Sequence, residues 1–490
     1  MAYISNRLSE AKKSSHDILA LNTTEGECKM LIKFSCQNFR SIGMQPLELS
    51  MVAAPKIKMH LGHISSPLDT VKLLRNAAVY GANAAGKSNV VRALDFMKAS
   101  VVNGSLPQDT TREYCRVGEG FSKEMTTFEM QFEIDGQAYD YGFSCALIDY
   151  RVISEWLYEL GDSEKMLFER ANGAEITFSD ELLGAVSKND RMRAHIYKED
   201  FVNQVKTAPP LLFLSAVGRD KRFDESSPLS AFSRSYRWFA RNLHVMVANQ
   251  PSPTSDFYVG DKTLNEVAEV LASFDTGISN LSKREISMEE LERQFSFPLA
   301  MSIRQLLSQP QLGGDLVLTV RDGAAFVGVE RHGSEEPTVT ILEIRHQGSS
   351  SSFAFGDESD GTRRLFDFMD LLFSKQKDAV FIVDEIDRSL HPMLTQQLVD
   401  LFNEIHKEDA CQLLFTTHEN AIMSYDYLRK DEIWFVDRDA EGYSHLYPLD
   451  DFESVRTDSR LSKQYLEGRY GGIPALSMAR ALAALQEGEE

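Results

Sequence analysis

The sequence predicts an α/β fold built on a sheet with buried parallel strands. Three segments predict it: a glycine-rich loop at Gly81–Ser88, an apolar run at Ala379–Val383 that ends in two acids, and a second apolar run within Leu413–Glu419. A continuous apolar run of this kind is expected of a parallel strand that is buried on both faces. An apolar segment precedes the loop and an amphipathic one follows it, which is the order strand, loop, helix.

The glycine-rich loop has the sequence GANAAGKS and matches every fixed position of the G-x-x-x-x-G-K-[ST] pattern. Small residues let its backbone wrap around phosphate oxygens, so that several N–H groups point inward. We expect Lys87 to reach the β- and γ-phosphates of a nucleotide and the Ser88 hydroxyl to bind Mg²⁺. A chance glycine-rich turn is the alternative, which the flanking strand and helix disfavour. The candidate nucleotide-binding residues of this segment are Gly81, Asn83, Gly86, Lys87, Ser88 and Asn89.

The apolar run Ala379–Val383 ends in the acids Asp384 and Glu385. A magnesium site needs a carboxylate at the carboxyl end of a strand, and Asp384 has that position. Glu385 is one residue further along, where its carboxylate could polarise the water that attacks a γ-phosphate. Acids commonly end strands, so this pair is weak evidence without the sequence that follows, IDRSLHP.

Together these segments resemble the ABC and SMC-like ATPases. The segments that carry the resemblance are MLIKFSCQNFRSIGMQ at Met30–Gln45, GANAAGKSN, ESDGTRRLF, DEIDRSLHP, TTHE, IWFVDRD and YLEGRYGGIP at Tyr465–Pro474. Among these ATPases the sequence is most similar to the stand-alone AAA-domain ATPases of the OLD-related, RecF-like branch. That branch includes proteins of abortive-infection and PARIS-like anti-phage systems.

The resemblance implies roles for residues that spacing alone would not assign. Asp387, two residues after the second acid, corresponds to the D-loop aspartate and counts as a nucleotide-binding candidate. His418, at the tip of TTHE, corresponds to the switch histidine, whose imidazole can hydrogen-bond the γ-phosphate. Glu385, His418 and Lys87 are therefore the candidate catalytic residues, and Ser88 and Asp384 the candidate metal ligands.

The signature motif of this class, LSGGQ, is absent, but ESDGTRR at Glu358–Arg364 occupies its place before an apolar helical stretch. A serine and a glycine at a helix N-terminus form an anion site from backbone N–H groups. The resemblance implies that Ser359, Gly361 and Thr362 contact the γ-phosphate of ATP held by the opposite subunit. The alternative is an ordinary helix N-cap that contacts no nucleotide.

Two other polar residues have weaker expected roles. Glu155 lies where related enzymes carry a metal-sensing Q-loop residue, and Arg40 lies where SMC-like ATPases bring a basic residue toward the nucleotide. A solvated strand-end side chain is the alternative in both cases. The acids of Asp437–Asp439 superficially resemble a TOPRIM nuclease pair, but a hairpin turn explains them more simply.

The composition restricts the class of protein. The length of 490 residues and 43% hydrophobic content allow one large or two moderate domains. Five cysteines without CxxC spacing favour neither a disulfide framework nor a zinc site and indicate a reducing cytosol. Because no apolar run is long enough to span a bilayer, we expect a cytoplasmic protein without membrane association.

The expected fold is an α/β ABC/SMC-like P-loop ATPase core with a mixed sheet, an antiparallel β subregion and an inserted, mainly helical lid. We expect the chain to be divided into four segments. They are a flexible leader at 1–29, an N-terminal lobe with the glycine-rich loop at 30–158, the lid at 159–340, and a C-terminal lobe with the remaining motifs at 341–490. Within the lid, Leu211–Ser215 predicts a buried strand and Phe232–Arg241 an amphipathic helix. The aromatic residues of that helix are expected in the core, although Arg234, Arg237, Trp238 and Arg241 could instead contact phosphates or an acidic partner.

The expected function is that of an ATPase that binds ATP and Mg²⁺ at the interface of a head-to-tail homodimer or higher oligomer. The resemblance implies a sensor that regulates a separately encoded effector in anti-phage defence, such as a small TOPRIM-type nuclease. The stretch after His418 is too short for a complete nuclease domain of typical size. A RecF- or SMC-like DNA-binding ATPase is the alternative, which the net charge of −21 disfavours.

Overall fold

The computed structural model describes residues 28–473, apart from 69–70, 222, 249–255, 259–260, 308–315, 323–324, 332–335 and 453–459. Nearly all of the predicted leader, Pro474 and a predicted closing helix at Leu476–Leu485 lie outside the described residues. The described chain divides into two compact units. The core unit consists of residues within 27–248, 376–387 and 406–490, and the insert unit of residues within 249–375 and 388–405.

A six-stranded sheet forms the centre of the core unit. Its first five strands are parallel and the sixth is antiparallel to the fifth. In spatial order the strands are Leu243–Met246, Val380–Val383, Gln412–Thr416, Asn76–Gly81, Ile433–Arg438 and Ser444–Pro448. Every residue of Asn76–Gly81 and Val380–Val383 is buried, as expected of parallel strands covered on both faces. The sheet therefore brings the ends of strands that are distant in sequence to one edge.

A seven-stranded antiparallel sheet forms the second layer of the core unit. Its strands in spatial order are Glu175–Thr177, Lys165–Ala171, Arg151–Leu160, Gln137–Ala146, Thr126–Ile134, Lys29–Gln37 and Leu47–Ser50. The strands Thr126–Ile134 and Gln137–Ala146 form a hairpin, and its two turn residues, Asp135 and Gly136, have φ of 54° and 83°. Together with the parallel sheet it confirms the α/β fold with an antiparallel subregion.

The helices of the core unit include one long helix directly after the glycine-rich loop. The core-unit helices are Lys87–Asn103, Asp180–Ala185, Lys188–Val205, Phe213–Gly218, Ala231–Arg237 with a π-helical turn at Trp238–Asn242, and Leu461–Leu466. Trp238 is fully buried, and its ring stacks on Phe132 at a centroid distance of 4.6 Å. The aromatic side of the predicted helix therefore packs in the core.

The predicted strand at Leu211–Ser215 is wrong, because a helix begins at Phe213. The carboxylate of Glu155 accepts hydrogen bonds from the backbone N–H groups of Phe213 and Leu214, at 2.7 and 2.9 Å. This distant carboxylate caps the helix N-terminus, and no local signal in the apolar sequence indicated it. Glu155 also forms a buried ion pair with Arg170 at 3.3 Å. Because its carboxylate is buried and has these partners, the expected Q-loop role is wrong.

The insert unit contains an antiparallel sheet as well as helices. The strands in spatial order are Ile278–Glu285, Thr338–His346, Ala325–Arg331 and Leu316–Asp322, with Ser352–Ala354 paired to Thr338–His346. The helices are Asp261–Ser273, Met288–Gln294, Phe297–Leu307, Asp360–Leu372 and Pro392–Ile405. Apolar residues that alternate along two strands, Val327 with Val329 and Val339 with Ile341, form one buried cluster. That alternation accounts for the strands found where a mainly helical lid was expected.

Candidate functional site

The glycine-rich loop lies between the strand Asn76–Gly81 and the helix that begins at Lys87. Gly86 has φ of 116°, which a residue with a side chain rarely adopts. A Cβ at Gly81 would collide with the carbonyl oxygen of Val436, and one at Gly86 with the hydroxyl of Ser444. Close packing therefore requires both glycines, and the backbone conformation of the turn additionally requires Gly86.

The ammonium of Lys87 lies inside its own loop. Its Nζ atom donates hydrogen bonds to the carbonyl oxygens of Gly81 and Ala82, at 2.8 and 3.2 Å. Burial lowers the pKa of Lys87 to about 8, although the acids Asp387, Glu385 and Asp384 partly oppose this shift. The loop thus holds a lysine whose charge would be stabilised by an anionic ligand.

Asp384 is buried at the end of its strand, and two hydroxyl groups donate to its Oδ1 atom. The Ser88 hydroxyl is 3.2 Å away and the Thr416 hydroxyl 2.7 Å away. Mg²⁺ prefers oxygen ligands and commonly binds to one or two protein groups together with substrate phosphates. The Ser88 hydroxyl and the Asp384 carboxylate fit that preference, so they could hold the ion.

Glu385 follows in a backbone conformation that is uncommon for a residue with a side chain, with φ of 51°. Its backbone N–H donates to the Thr416 hydroxyl at 2.8 Å. Thr416 therefore accepts from Glu385 and donates to Asp384, which links the two acids to the neighbouring strand. The sequence motif TTHE contained this threonine, but only the histidine was assigned a role.

His418 lies one strand away from the two acids. Its Nδ1 atom is 3.5 Å from the Lys87 Nζ atom, and its backbone N–H lies 3.3 Å from both carboxylate oxygens of Asp387. Burial, followed by the nearby Lys87 charge, lowers the pKa of His418. The lowered pKa favours the neutral imidazole, which can donate one hydrogen bond.

The loop, Glu385 and His418 surround a cavity of about 310 Å³. This is the lower end of the range of about 300–1,000 Å³ that is typical of small-molecule sites. The cavity is lined by Ala82, Asn83, Ala84, Gly86, Lys87, Ser88, Asn89, Glu385, His418 and Arg438. Three other candidate residues contact this lining through the hydrogen bonds described above: Gly81, Asp384 and Asp387. Arg438 was not a candidate from the sequence.

Asn89 belongs to a chain of hydrogen bonds behind the loop. Its side-chain amide donates to the Ser41 hydroxyl at 2.7 Å, and that hydroxyl is 2.7 Å from the Ser444 hydroxyl. Ser444 in turn donates to the carbonyl oxygen of Ala85 at 2.6 Å. Ser41 contacts the loop from a turn after the strand Lys29–Gln37, and Ser444 contacts it from the strand Ser444–Pro448; no motif indicated either serine.

The predicted signature residues lie in the insert unit. Ser359 is the N-cap of the helix Asp360–Leu372, and its hydroxyl accepts from the Thr362 N–H at 3.1 Å. A Cβ at Gly361 would be 2.8 Å from the carbonyl oxygen of Ser389. The geometry within the unit is that of an N-capped helix start with an exposed Ser359 and a half-buried Thr362.

Arg40 does not line the cavity. Its guanidinium forms an ion pair with Glu113 at 2.5 Å and lies 5.7 Å from the ring of Phe39. The sequence DRD at Asp437–Asp439 forms the end of a strand and a turn into Ser444–Pro448, as the hairpin alternative predicted.

All five cysteines are unpaired. Within the described ranges, no helix has the length and apolar character needed to cross a membrane.

Comparison with solved structures finds matches at low sequence identity. One, described as "Crystal structure of the SmcHead bound to the C-winged helix domain of ScpA", is 14% identical with a TM-score of 0.42, covering 85% of this chain and 96% of that chain. "SMC head domain from Thermotoga maritima" is 14% identical with a TM-score of 0.31, covering 85% and 98%. "Structure of the recombination mediator protein RecF-ATP in RecFOR pathway" is 13% identical with a TM-score of 0.33, covering 87% and 100%. None of the curated proteins matches the sequence.

A family model matches the chain over residues 77–179 and 224–424. These two segments make up more than half of the 490 residues and contain the glycine-rich loop, Asp384, Glu385 and His418. The chain therefore belongs to the AAA-domain family described as "AAA domain, putative AbiEii toxin, Type IV TA system".

Proposed function

We propose that the protein binds ATP together with Mg²⁺ in the cavity at the glycine-rich loop and hydrolyses it. One arrangement carries this proposal: Ser88 and Thr416 converge on Asp384, while Glu385 and His418 face the loop from the neighbouring strands. The proposal is supported because the two candidate metal ligands, Ser88 and Asp384, are hydrogen-bonded to each other beside a cavity that Glu385 and His418 also line. P-loop enzymes use the same kinds of group for phosphoryl transfer to water.

In the proposed reaction, Lys87 binds the β- and γ-phosphates, and its contacts with the Gly81 and Ala82 carbonyls keep its ammonium at the loop. Ser88 and Asp384 would hold Mg²⁺, which would neutralise charge on the phosphate oxygens when bound. The Glu385 carboxylate orients the attacking water and accepts its proton. The His418 imidazole donates a hydrogen bond to the γ-phosphate, and this bond is lost when phosphate leaves.

We propose further that the ATP site is completed by a second copy of the chain arranged head to tail. Ser359, Gly361 and Thr362 of that copy would bind the γ-phosphate through backbone N–H groups and hydroxyls at a helix N-terminus. The exposed Ser359 side chain and the small residue at Gly361 support this role. Hydrolysis would then change the geometry of the dimer.

The biological role that we propose is that of a sensor which regulates a separately encoded effector in anti-phage defence. The family description names an AbiEii toxin and a type IV toxin–antitoxin system, which supports an association with a toxic effector. The excess of 73 acidic over 52 basic residues supports a protein partner over nucleic acid, because such a chain is repelled from DNA at long range. A TOPRIM-type nuclease is one effector of the expected kind.

The test is a pull-down from the native host with tagged Glu385→Gln protein and ATP, with tagged Lys87→Ala protein as the control. We expect a stoichiometric protein that is retained by Glu385→Gln and lost with Lys87→Ala, and whose activity changes when ATP is hydrolysed. Recovery of nuclease-protected DNA without such a protein would contradict the effector role and support a RecF- or SMC-like function in DNA maintenance.

A further inference from the structure

Arg438 lines the cavity from the end of the strand next to the glycine-rich loop. Its side chain is exposed. Among the described residues, its guanidinium has neither a hydrogen bond nor an ion pair, although the residue stands between two acids in the sequence. The family model ends at residue 424, so Arg438 lies outside the segment that the family model matches.

The two neighbouring acids are occupied by other partners. The Asp437 carboxylate accepts from the backbone N–H groups of Arg438 and Gly472, at 2.8 and 2.9 Å. The Asp439 carboxylate contacts the His445 ring at 2.7 Å and accepts from the Tyr443 N–H at 2.8 Å. The positive charge of Arg438 is therefore left available for an anionic ligand in the cavity.

The order of strands indicates which end of a nucleotide Arg438 would meet. Glu385 and His418 follow two strands on one side of Asn76–Gly81, and Arg438 ends the strand on the other side. The register pairs Val436 with Gly81, so Arg438 lies just beyond the first residue of the loop. If the γ-phosphate lies beside Glu385 and His418, the opposite end of the triphosphate lies beside Arg438.

A turn at Gly471 and Gly472 fixes the end of this strand. Besides the bond from Gly472 to Asp437, the Tyr465 hydroxyl donates to the Gly472 carbonyl at 2.8 Å, and a Cβ at Gly472 would lie 3.4 Å from the Gly81 Cα atom. The turn is thus packed against both the strand that carries Arg438 and the first residue of the loop.

We propose that Arg438 is a further nucleotide-binding residue, which contacts the α-phosphate at the nucleoside end of the ligand. This inference rests on the proposed nucleotide-binding function. An arginine suits the position because its guanidinium is always charged and can donate two parallel hydrogen bonds to a phosphate. Since the α-phosphate is present before and after hydrolysis, Arg438 binds ATP and ADP equally.

The test is an equilibrium titration of fluorescent ATP and ADP analogues with Arg438→Ala and Arg438→Lys, alongside the steady-state turnover number. We expect Arg438→Ala to bind both nucleotides about 10- to 100-fold more weakly, as is typical for loss of a charge-assisted hydrogen bond. Arg438→Lys should recover part of the affinity, and in both variants the KM for ATP should rise by a larger factor than the turnover number falls. The control is Arg469→Ala, since Arg469 is also exposed but lies 3.7 Å from Glu467.

Two outcomes would overturn the proposal while leaving nucleotide binding intact. One is unchanged affinity of Arg438→Ala in a preparation where Lys87→Ala no longer binds. The other is a loss of affinity for adenine but not cytosine nucleotides, which would indicate contact with the base. Failure of the wild-type protein to bind any nucleotide would instead refute the proposed function itself.

Discussion

The hydroxyl of Ser88 donates a hydrogen bond to the Oδ1 atom of Asp384, 3.2 Å away. Ser88 belongs to the first turn of the helix after the glycine-rich loop. Asp384 follows the strand Val380–Val383 and lies 296 residues after Ser88 in the sequence. The parallel sheet brings them together because Asn76–Gly81 and Val380–Val383 are separated by one strand only. This pair is the basis of the proposed metal site.

Substitution of Thr416 tests whether its hydroxyl orients the two acids of the proposed site, Asp384 and Glu385. Its hydroxyl donates to Asp384 and accepts from the Glu385 N–H, so Thr416→Val removes both contacts while preserving the shape of the side chain. We expect turnover to fall by about 10- to 100-fold, as is common when a group that orients a metal ligand is lost. Thr416→Ser should recover much of the activity. Equal loss in both variants would show that packing of the methyl group matters and the hydroxyl does not.

The pKa of Lys87 predicts how nucleotide affinity depends on pH. In the free protein the pKa is about 8, and a bound triphosphate raises it, so binding takes up a proton where the free lysine is neutral. Affinity should therefore fall as pH increases above about 8. Calorimetric titration at pH 7 to 9.5, in buffers of different ionisation enthalpy, measures both the affinity and the proton uptake. A pH-independent affinity over that range would contradict the assignment.

The same shift affects the stability of the free protein. Because the folded-state pKa of Lys87 lies below the usual value of 10.5, the penalty for burying the charged form is complete below pH 8 and is relieved toward pH 10.5. At pH 7, Lys87→Met should therefore unfold at the same temperature as the wild type or at a higher one. At pH 9.5 the difference between the two unfolding temperatures should be smaller. Thermal unfolding without nucleotide checks this, and a large loss of stability at pH 7 would refute it.

The head-to-tail arrangement predicts that two inactive variants restore activity when mixed. Lys87→Ala removes the loop lysine, and Ser359→Arg blocks the signature of the partner. A dimer with one copy of each has one intact site, so an equal mixture should reach about a quarter of the wild-type activity if the sites are independent. Phosphate release by the mixture measures this. No recovery, in conditions where labelled subunits exchange, would contradict a shared site.

The turn at Gly471 predicts an effect on nucleotide binding from outside the loop motif. A Cβ at this position would lie 2.5 Å from the Tyr447 hydroxyl and 2.8 Å from the Asp437 carboxylate. Gly471→Ala should push the turn away from the strand that ends in Arg438 and weaken nucleotide binding several-fold. The matched control is Gly120→Ala, which also has a positive φ but has no heavy atom within 4 Å of the new methyl group. Equal nucleotide affinity in both variants would refute the coupling.

The sequence predicted the residues of the loop and the acids after Val383 because these features are local. A glycine at positive φ, a lysine beside it and a fully apolar strand each leave a mark within a few neighbouring residues. Asn83, Gly86, Lys87 and Ser88 accordingly line the cavity together with Asn89.

The residues that the sequence did not indicate reach the site through strand pairing. Arg438 lines the cavity because Ile433–Arg438 pairs with Asn76–Gly81, and Ser444 reaches the loop through the hairpin that follows. Glu155 was misassigned because its partners, Arg170 and two backbone N–H groups, are brought to it by tertiary contacts. Pairing of distant strands leaves no periodic pattern that a single sequence reveals.

The most direct measurement is phosphate release and ATP binding by the wild type, Glu385→Gln and Lys87→Ala, under one set of conditions with Mg²⁺. We expect the wild type to bind and hydrolyse ATP, and Lys87→Ala to do neither. Glu385→Gln should bind ATP with wild-type affinity and release phosphate at least about 100-fold more slowly, because its amide cannot accept the proton of water. Hydrolysis by Glu385→Gln at the wild-type rate would contradict the proposed catalytic site.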